Sequence, residues 1–548
     1  MHRKKMKKYP AFHPGFKKIL TTLYFGGCFI FFAFFYTYHS YYFEQMQFFR
    51  FSGEYIAGYF HKPASFSCLI GDFLTQFYFL KAGGAIIITG CLFLLWYLID
   101  WVISSLSSWK YSYLMSLLAT ALITGFHFTI VYPLAATISL ILALAAFRFY
   151  TTLKILTTRI ISGIILVPLI YMAAGIAVYL FLLVVLLYEL KLKQIKGWLE
   201  WTYRFILVII VLIIPFSLRT LYYLTPGQAY KYPISELTLP VPNFMFETLF
   251  SLDCEWYFNH PEKTIELAQK APVKTRYVIY YYNLASAALN KLPENLLSFD
   301  QMGLDGMFIP FNEETNYLNL LYGNEVYYFI GDINASQHYA LMANTFSPKC
   351  EGSRMIRRLT ETNIINGDYT VAEKYLKMLK QTLFYRRWAK KMEPFLYNDE
   401  LCNRTPWIAG KRAIMPLTDH IKANPNAFVN SLYFLLDDHP DNQAALNYLL
   451  SISLLYKDID SFYKALTTYR YFNAGFYLPK LYQEALLIYY DIHKNDKNIK
   501  RFLLSKEVIR QSGLFKEKYQ WSQGDQRAMK KDFGNTYWFY LRYAPMPR

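Results

Sequence analysis

The chain has 548 residues, of which 54% are hydrophobic and 19% aromatic, and its formal net charge at pH 7 is +18. This length predicts several domains. In a soluble protein such a charge would favour nucleic acid as a partner, but no RNA- or DNA-binding motif accompanies it. Much of the charge instead flanks long apolar runs, where Lys and Arg set the orientation of membrane helices. The composition therefore predicts an integral membrane protein and argues against a nucleic-acid-binding one.

The long apolar runs all lie in the first part of the chain. They cover residues 19–42, 84–104, 111–150, 160–190 and 205–224. About 20 apolar residues cross a bilayer, so the third run predicts two spans. The fourth run predicts either two short spans or one oversized helix, and we favour two. We therefore predict an all-α fold with about seven spans in a transmembrane domain at 19–224. The alternative has five spans, with each long run as one tilted helix.

The basic N-terminus, residues 1–18, is similar to the start of a signal peptide, but the next run is too long and lacks a small-residue cleavage site. We therefore expect this run to be retained as a span. With the N-terminus in the cytoplasm, fifteen Lys and Arg residues fall on inner segments and three on outer ones. Such an asymmetry predicts that the chain leaves its last span on the outside. The predicted location is a bacterial inner membrane, with the C-terminal part in the periplasm.

The outer connection between the first two spans, residues 43–84, is too polar to cross a bilayer and too aromatic for a free loop. Its polar residues include Glu44, Gln45, Arg50, Glu54, His61, Lys62 and Asp72. Aromatic residues on one face and charges on the other predict one or two amphipathic helices at the membrane surface. Any chemistry of the membrane half is expected here.

The C-terminal part follows a linker with four prolines, residues 225–242, which is predicted to be stiff and extended. Residues 243–548 then read as successive helices without strand alternation. Similar joints recur at Gly331-Asp332-Ile333, Gly367-Asp368-Tyr369 and Lys457-Asp458-Ile459. This part resembles tetratricopeptide repeats, and an irregular helical array is the alternative. Such arrays usually bind proteins, so a periplasmic protein partner is expected.

Familiar catalytic signatures are absent from the sequence, which has no P-loop, no dinucleotide-binding glycine motif, no G-x-S-x-G and no H-E-x-x-H. The six cysteines form no C-x-x-C and lie at no zinc-ligand spacing from a histidine. Buried free thiols are expected, although a disulfide among the outer four is open. Glu189, near the inner end of a span, is interpreted as an interfacial charge, and His127 as a residue of a short outer turn.

The order of elements over residues 1–225 is similar to that of the GT-C superfamily of lipid-linked sugar transferases. The likeness rests on about seven spans, a long outer connection with surface helices, and an acidic residue directly after the first span. The superfamily has Asp-Glu or a close variant at this place, whereas this chain has Glu44-Gln45. The whole chain also resembles an uncharacterised family of bacterial membrane proteins with a repeat-bearing tail.

The GT-C likeness implies a reaction at the outer membrane surface. Glu44 would take the proton from an acceptor hydroxyl as that oxygen attacks the anomeric carbon of a polyprenyl-phosphate sugar. Arg50, His61 and Lys62 would offset the charge on the departing phosphate. Aromatic residues on both sides of Glu44 are expected to shield it from bulk water, which would make it a more usable base.

Glu54 and Asp72 are the remaining candidates, either as assisting acids or as ligands of a divalent metal. The alternative for each of these charges is a solvated place at the membrane interface. For the whole chain, the alternative is a non-catalytic, membrane-anchored scaffold that binds periplasmic or envelope proteins through its repeats. Transport is disfavoured because the spans contain almost no central ionisable residue.

Overall fold

The computed structural model describes residues 14–107, 109, 111–192, 198–236, 238–310, 317–418, 427–469, 478–493 and 502–545. Helices joined by turns and irregular stretches make up these ranges, and none of them contains a β-strand. The predicted all-α class is therefore confirmed. Most of the basic N-terminus lies outside the described residues, as do Lys110, Lys193 and Lys196 of the predicted inner segments.

The chain divides into two compact units. The first, called the membrane unit, comprises Met1–Glu247 together with Lys380–Arg387. The second, called the helical unit, comprises Thr248–Leu379 and Trp388–Arg548. The division thus falls just inside the predicted repeat domain 243–548, and a short stretch from the middle of that domain belongs to the membrane unit.

The membrane unit begins with a long helix that changes direction before the outer connection. The helices in this part of the chain are α1 (Pro14–Ile30), α2 (Thr37–Gln45), α3 (Gly53–Gly58), α4 (Ser65–Thr75), α5 (Gly83–Leu106), α6 (Ser112–Phe126), α7 (Leu134–Thr152), α8 (Leu156–Ala174), α9 (Val178–Leu192), α10 (Trp198–Leu218) and α11 (Pro226–Lys231). A π-helical turn, Phe31–Phe35, extends α1, and Tyr36 with φ −136° separates it from α2. Such turns commonly accompany bends in helices. The predicted linker 225–242 opens on α11 and is not extended throughout.

Five segments of the described chain are long and apolar enough to cross a membrane: Gly15–Phe35, Gly83–Leu106, Leu134–Thr152, Leu156–Leu192 and Trp201–Leu218. The apolar helix α6, with 15 residues, is shorter. The third predicted run, 111–150, is therefore two helices, α6 and α7. By length and composition, the membrane unit is a multi-pass, membrane-embedded helical bundle.

The 37-residue segment Leu156–Leu192 is a helical hairpin, because the chain reverses at Gly175. Gly175 has φ +56°, and a Cβ there would lie 2.2 Å from the carbonyl oxygen of Tyr232, so a side chain would not fit. After this turn α9 runs back along α8. Arg159 in the first turn of α8 pairs with Glu189 near the end of α9, with 2.7 Å between Nε and Oε1.

The described apolar helices, α1 and α5–α10, run alternately between two ends of the bundle. At one end, the Tyr113 hydroxyl at the start of α6 donates to the Lys17 carbonyl of α1 over 2.7 Å. At the same end, the Arg148 guanidinium of α7 lies 5.2 Å from the centre of the Trp101 ring of α5. We call this the basic end because Lys17, Arg148 and Arg159 lie there. The opposite end, which carries the outer connection, is called the polar end.

Glu189 is buried at the basic end, with 3% of its surface exposed, so its interpretation as a solvated interfacial charge is wrong. Its carboxylate pairs with Arg159 and accepts a hydrogen bond from the Tyr150 hydroxyl at 2.7 Å. The Tyr150 and Tyr203 hydroxyls lie 3.1 Å apart. Gly163 makes room for this contact, since a Cβ there would lie 2.1 Å from the Tyr203 hydroxyl. One buried charge pair thereby joins four helices, α7 to α10.

One or two surface helices were predicted for the outer connection; it contains two α-helices, α3 and α4, but α4 packs into the bundle. The Ser67 hydroxyl lies 2.8 Å from that of Ser139 on α7, and the Ser65 hydroxyl donates to the Met172 carbonyl of α8 over 2.9 Å. Phe66 on α4 is 48% exposed. The small hydroxyl-bearing face is therefore the buried one, because small residues let membrane helices approach closely.

The helical unit contains most of the remaining helices. They are α12 (Phe244–Tyr257), α13 (Pro261–Lys270), α14 (Arg276–Ala288), α15 (Leu292–Asn295), α16 (Tyr317–Ile330), α17 (Ile333–Phe346), α18 (Ser353–Asn366), α19 (Tyr369–Lys380), α20 (Arg386–Met392), α21 (Asp399–Arg404), α22 (Pro406–Arg412), α23 (Ala427–Asp438), α24 (Gln443–Leu455), α25 (Ile459–Thr468), α26 (Lys480–Ile492), α27 (Lys506–Trp521), α28 (Gln526–Phe533) and α29 (Tyr537–Tyr543). None of the six cysteines of the chain forms a disulfide, and Cys254 and Cys402 of this unit are buried.

The three predicted joints each connect two consecutive helices of this unit. Gly331, Gly367 and Lys457 lie at these joints with φ of 98°, 83° and 59°. In two of them the next residue caps the following helix, since the Asp332 and Asp458 side chains accept hydrogen bonds from backbone amides in its first turn. A left-handed residue followed by a capping side chain is an efficient way to end one helix and begin another. The likeness of the whole array to tetratricopeptide repeats stays a prediction.

A buried charge network holds α12, α16 and α18 together. Nη2 of Arg354 lies 2.8 Å from Oδ1 of Asp253 and 2.8 Å from Oε1 of Glu325. Nη2 of Arg358 lies 2.8 Å from the second carboxylate oxygen of Glu325. Burial by itself would raise the pKa of Glu325, but Arg358 and Arg354 outweigh it and hold this pKa at about 2. Glu325 therefore stays ionised in the folded unit.

Glu484 of α26 makes the stability of this unit depend on pH. Its carboxylate accepts a hydrogen bond from the backbone amide of Tyr537, which begins α29, at 2.6 Å. Burial raises the pKa of Glu484 from 4.5 to about 7. Because the folded-state pKa lies above the ordinary value, stability is fully present below about pH 4.5 and is lost as the pH rises towards 7.

We expect α26 and α29 of the full-length protein to open more easily above pH 7 than below pH 4.5, by on the order of 3 kcal/mol. Amide hydrogen exchange of peptides from these helices, corrected for intrinsic rates, measures the difference. Glu484→Gln should remove most of it. An unchanged pH dependence in this variant would show that another group is responsible.

Candidate functional site

Buried polar side chains concentrate at the polar end of the membrane unit. Those with a carboxyl or imidazole group include His39, Glu44, Asp72, His127 and Glu247, and the buried phenols include that of Tyr385; each of these six residues is less than 9% exposed. Burying such groups costs free energy unless hydrogen bonds or opposite charges compensate. Groups of this kind are uncommon in membrane-embedded helices and mark functional sites by default. The polar end is therefore the candidate functional site.

Glu44 lies in the last turn of α2, directly beyond the first span, and is 4% exposed. The hydroxyl of Tyr385 lies 2.9 Å from one carboxylate oxygen and 3.1 Å from the other. Tyr42 and Phe48, on the two sides of Glu44 in the chain, are buried as well. The carboxylate is thus withdrawn from bulk water and in contact with a phenol that can donate to it.

Arg50 follows α2 in the outer connection and is partly buried. Its guanidinium carbon lies 4.8 Å from the centre of the Tyr55 ring and 5.8 Å from that of Phe48. Cation–π contacts of this kind hold the plane of a guanidinium in place. Of the three predicted phosphate-binding residues, Arg50 is the one that packs against side chains of the polar end, whereas His61 and Lys62 are exposed.

Asp72 lies on α4 and is 8% exposed. One of its carboxylate oxygens accepts a hydrogen bond from the Tyr59 hydroxyl at 2.9 Å, and this hydroxyl lies 3.0 Å from that of Tyr55. Burial and the nearby Asp72 charge raise the pKa of Tyr59, which keeps the phenol protonated as a donor. Tyr59 therefore links Asp72 to Tyr55, whose ring lies against Arg50.

Glu247 caps α2 from a distant part of the chain. Its two carboxylate oxygens accept hydrogen bonds from the backbone amides of Tyr38 and His39, at 2.8 and 3.0 Å. These amides belong to the first turn of α2, whose preceding residue, Tyr36, supplies no side-chain cap. A carboxylate at this position satisfies the unpaired amides and interacts favourably with the helix dipole. Glu247 thereby fixes the helix that carries Glu44.

A small cavity of about 20 Å³ lies beside α2, lined in part by His39, Ser40, Thr75 and His127. This is room for about one water molecule. His127 lies in the turn between α6 and α7, as predicted, and Nε2 of its ring is 2.8 Å from the Thr137 hydroxyl. Burial lowers the pKa of His127 to about 3, so this imidazole is neutral. Apolar side chains, among them Phe32, Ile88 and Leu134, line the rest of the cavity, which is too small for a sugar or a phosphate.

The structure does not gather all the predicted site residues. Glu54, His61 and Lys62 are exposed on the outer connection, whereas Glu44 and Asp72 are buried. Within the described residues, no three His, Cys, Asp or Glu side chains are arranged to hold a metal ion. The described part of the chain therefore offers no support for a divalent metal at Glu54 and Asp72.

Three members of the site escaped the sequence analysis: His39, Glu247 and Tyr385. Glu247 and Tyr385 lie more than 200 residues after α2, and a single sequence contains no local signal for contacts of that range. His39 could have been noticed, because an imidazole inside the apolar run 19–42 is unusual.

Comparison with protein families gives a match over residues 13–544, to a family of unknown function (DUF6057). The chain belongs to this family. The matched range runs through both the membrane unit and the helical unit, and the description of the family names no activity. No curated protein and no solved structure matches the chain.

Proposed function

We propose that this member of the DUF6057 family is a membrane-embedded transferase that moves a sugar from a polyprenyl-phosphate donor to an acceptor hydroxyl. The observation that carries the proposal is the Glu44 carboxylate, which follows the first span, is buried, and meets the Tyr385 phenol. A carboxylate that is buried away from bulk water and oriented by a hydrogen-bond donor is a candidate general base.

In the proposed reaction the acceptor hydroxyl gives its proton to Glu44 while its oxygen attacks the anomeric carbon. The bond from that carbon to the phosphate oxygen breaks, and the lipid phosphate leaves with the bonding electron pair. Arg50 offsets the negative charge that develops on this phosphate. Asp72 holds Tyr59 and through it the ring of Tyr55, on which Arg50 lies.

The donor would approach from the lipid, along the exposed face of the outer connection. Phe60 and Phe66 are 47% and 48% exposed, and their ring centres lie 5.4 Å apart. His61 and Lys62 directly follow Phe60 and are exposed too. Exposed aromatic rings beside cations suit the headgroup layer of a bilayer, where apolar and charged groups are both accommodated.

We place the basic end in the cytoplasm and the polar end at the outer surface of a bacterial inner membrane, with the helical unit in the periplasm. The excess of Lys and Arg on the segments of the basic end supports this orientation. Alkaline phosphatase fused after Arg548 should therefore be active in cells. Inactive phosphatase, together with an active cytoplasmic reporter at the same site, would reverse the orientation.

Full-length protein in lipid nanodiscs tests the transferase directly. Polyprenyl-phosphate sugars are supplied with a cell-envelope extract as the acceptor source, and release of free polyprenyl phosphate is measured. We expect release with wild-type protein and none with heat-inactivated protein. Equal release in both samples, for every donor supplied, would speak against the proposal.

The second candidate function is a non-catalytic scaffold, favoured by the recurrent helix joints of the helical unit. Gly367→Val places a β-branched residue at φ +83° and should distort one such joint. A scaffold requires this joint but not Glu44. The two variants are expressed in cells that lack this protein, and the growth of each strain is compared with that of wild-type cells. Full restoration of growth by Glu44→Gln but not by Gly367→Val would favour the scaffold.

A further inference from the structure

The segment Lys380–Arg387 belongs to the membrane unit, although the chain on both sides of it belongs to the helical unit. It lies where α19 ends and α20 begins. The backbone amide of Phe51 donates to the Gln381 carbonyl over 2.7 Å. The ring of Phe384 stacks on that of Phe79, with 5.0 Å between their centres. Polar and aromatic contacts therefore hold the segment against the outer connection.

Tyr385 is held with its hydroxyl at the Glu44 carboxylate. The Thr382 hydroxyl accepts a hydrogen bond from the Tyr385 backbone amide at 3.1 Å, which shapes a tight turn. The Tyr385 ring packs against Phe79, with 5.8 Å between centres, and the residue is 7% exposed. Backbone and ring are both fixed, so the position of the hydroxyl is set by the fold.

The hydroxyl lies almost equally far from the two oxygens of Glu44, at 2.9 and 3.1 Å. The phenol has one O–H group, which can donate a hydrogen bond to either carboxylate oxygen or be shared between the two. It therefore restrains the rotation of the carboxylate. Donation to a carboxylate also stabilises the charged form, which is the form a base must have.

From this geometry we infer that Tyr385 is a positioning residue for Glu44, and that Lys380–Arg387 is part of the membrane site. The role of Tyr385 in transfer rests on the proposed function, but its effect on the ionisation of Glu44 does not. The other buried carboxyl and imidazole groups of the polar end include those of His39, Asp72, His127 and Glu247. Its buried phenols include Tyr42, Tyr78 and Tyr132, and Arg50 is a partly buried cation there. The variants used in the test leave all of these side chains unchanged.

The test measures the protonation of Glu44 without any transfer. Dicyclohexylcarbodiimide modifies protonated carboxyl groups in apolar surroundings, and peptide mass spectrometry of the full-length protein reports modification of Glu44 at each pH. We expect Tyr385→Phe to move the midpoint of labelling upwards by about one to two pH units, because a hydrogen bond to a charged group is lost.

Tyr397→Phe is the matched control, because Tyr397 also donates to a carboxylate, that of Glu373, but at a 63% exposed position. It should leave the Glu44 midpoint unchanged. Replacement of Tyr385 by 3-fluorotyrosine keeps the shape and strengthens the donor, so the midpoint should fall. This second variant decides the question if Tyr385→Phe does not fold.

An unchanged midpoint in folded Tyr385→Phe, or in the fluorotyrosine protein, overturns the inference. If the midpoints shift as expected but wild-type protein shows no transfer, the inference stands and the proposed function fails. If transfer occurs and the midpoints do not move, the proposed function stands and Tyr385 is only a packing residue.

Discussion

Glu44→Gln is expected to lower the rate of sugar transfer by about 10²–10⁴-fold, the usual contribution of a general base. The substitution keeps the shape of the side chain and removes its charge. The carbonyl oxygen of the introduced amide can still accept a hydrogen bond from Tyr385, so the local structure should persist. Loss of transfer would then report the loss of the base and not a loss of folding.

The measurement is release of polyprenyl phosphate by purified variants, with insertion checked by the phosphatase fusion after Arg548. Glu236→Gln is the control, since Glu236 is an exposed carboxylate of the same unit. It should transfer at the wild-type rate. Wild-type release by a normally inserted Glu44→Gln protein would falsify the catalytic role and favour the scaffold.

Arg354→Leu is expected to destabilise the helical unit by about 3–5 kcal/mol, because it leaves the buried carboxylate of Asp253 without its cation. Arg354 is 1% exposed and bonds to both Asp253 and Glu325. Arg358 would still pair with Glu325, but Asp253 would lose its cation. Such a loss is a large fraction of the stability of a typical domain.

Amide hydrogen exchange of peptides from α12, α16 and α18 in the full-length protein measures this effect as a free energy of opening. Arg404→Leu serves as the control, because Arg404 forms an ion pair with Glu400 in which both side chains are more than 70% exposed. That variant should cost less than about 1 kcal/mol. Equal costs in the two variants would contradict a stabilising role for the buried network.

The apolar helices could be predicted from the sequence because about 20 apolar residues are needed to cross a bilayer. The hairpin of α8 and α9 was harder to predict. Its turn depends on the positive φ of Gly175 and on the approach of the Tyr232 carbonyl, which follows 57 residues later. Composition favoured two helices for this run, but it left a single oversized helix open, and only the packed structure decides between them.

The candidate site was predictable in part. Glu44 and Asp72 stand out as acids beside a membrane span, and both are buried at the polar end. The hydrogen-bond partners of these two acids lie at very different distances along the chain. Tyr59 is 13 residues from its partner Asp72, whereas Tyr385 is 341 residues from its partner Glu44. Long-range contacts of this kind depend on how the whole chain packs, so no local sequence pattern predicts them. Glu189 illustrates the same limit, because its burial depends on Arg159 in another helix.

The central claim is that a lipid phosphate binds beside Glu44 at the polar end. The most direct measurement is a cryo-electron microscopy map of the full-length protein in nanodiscs that contain a polyprenyl phosphate. We expect phosphate density within hydrogen-bonding distance of the Arg50 guanidinium and next to the Glu44 carboxylate. Lipid density confined to other surfaces of the bundle, with the Glu44 region closed as it is here, would contradict it.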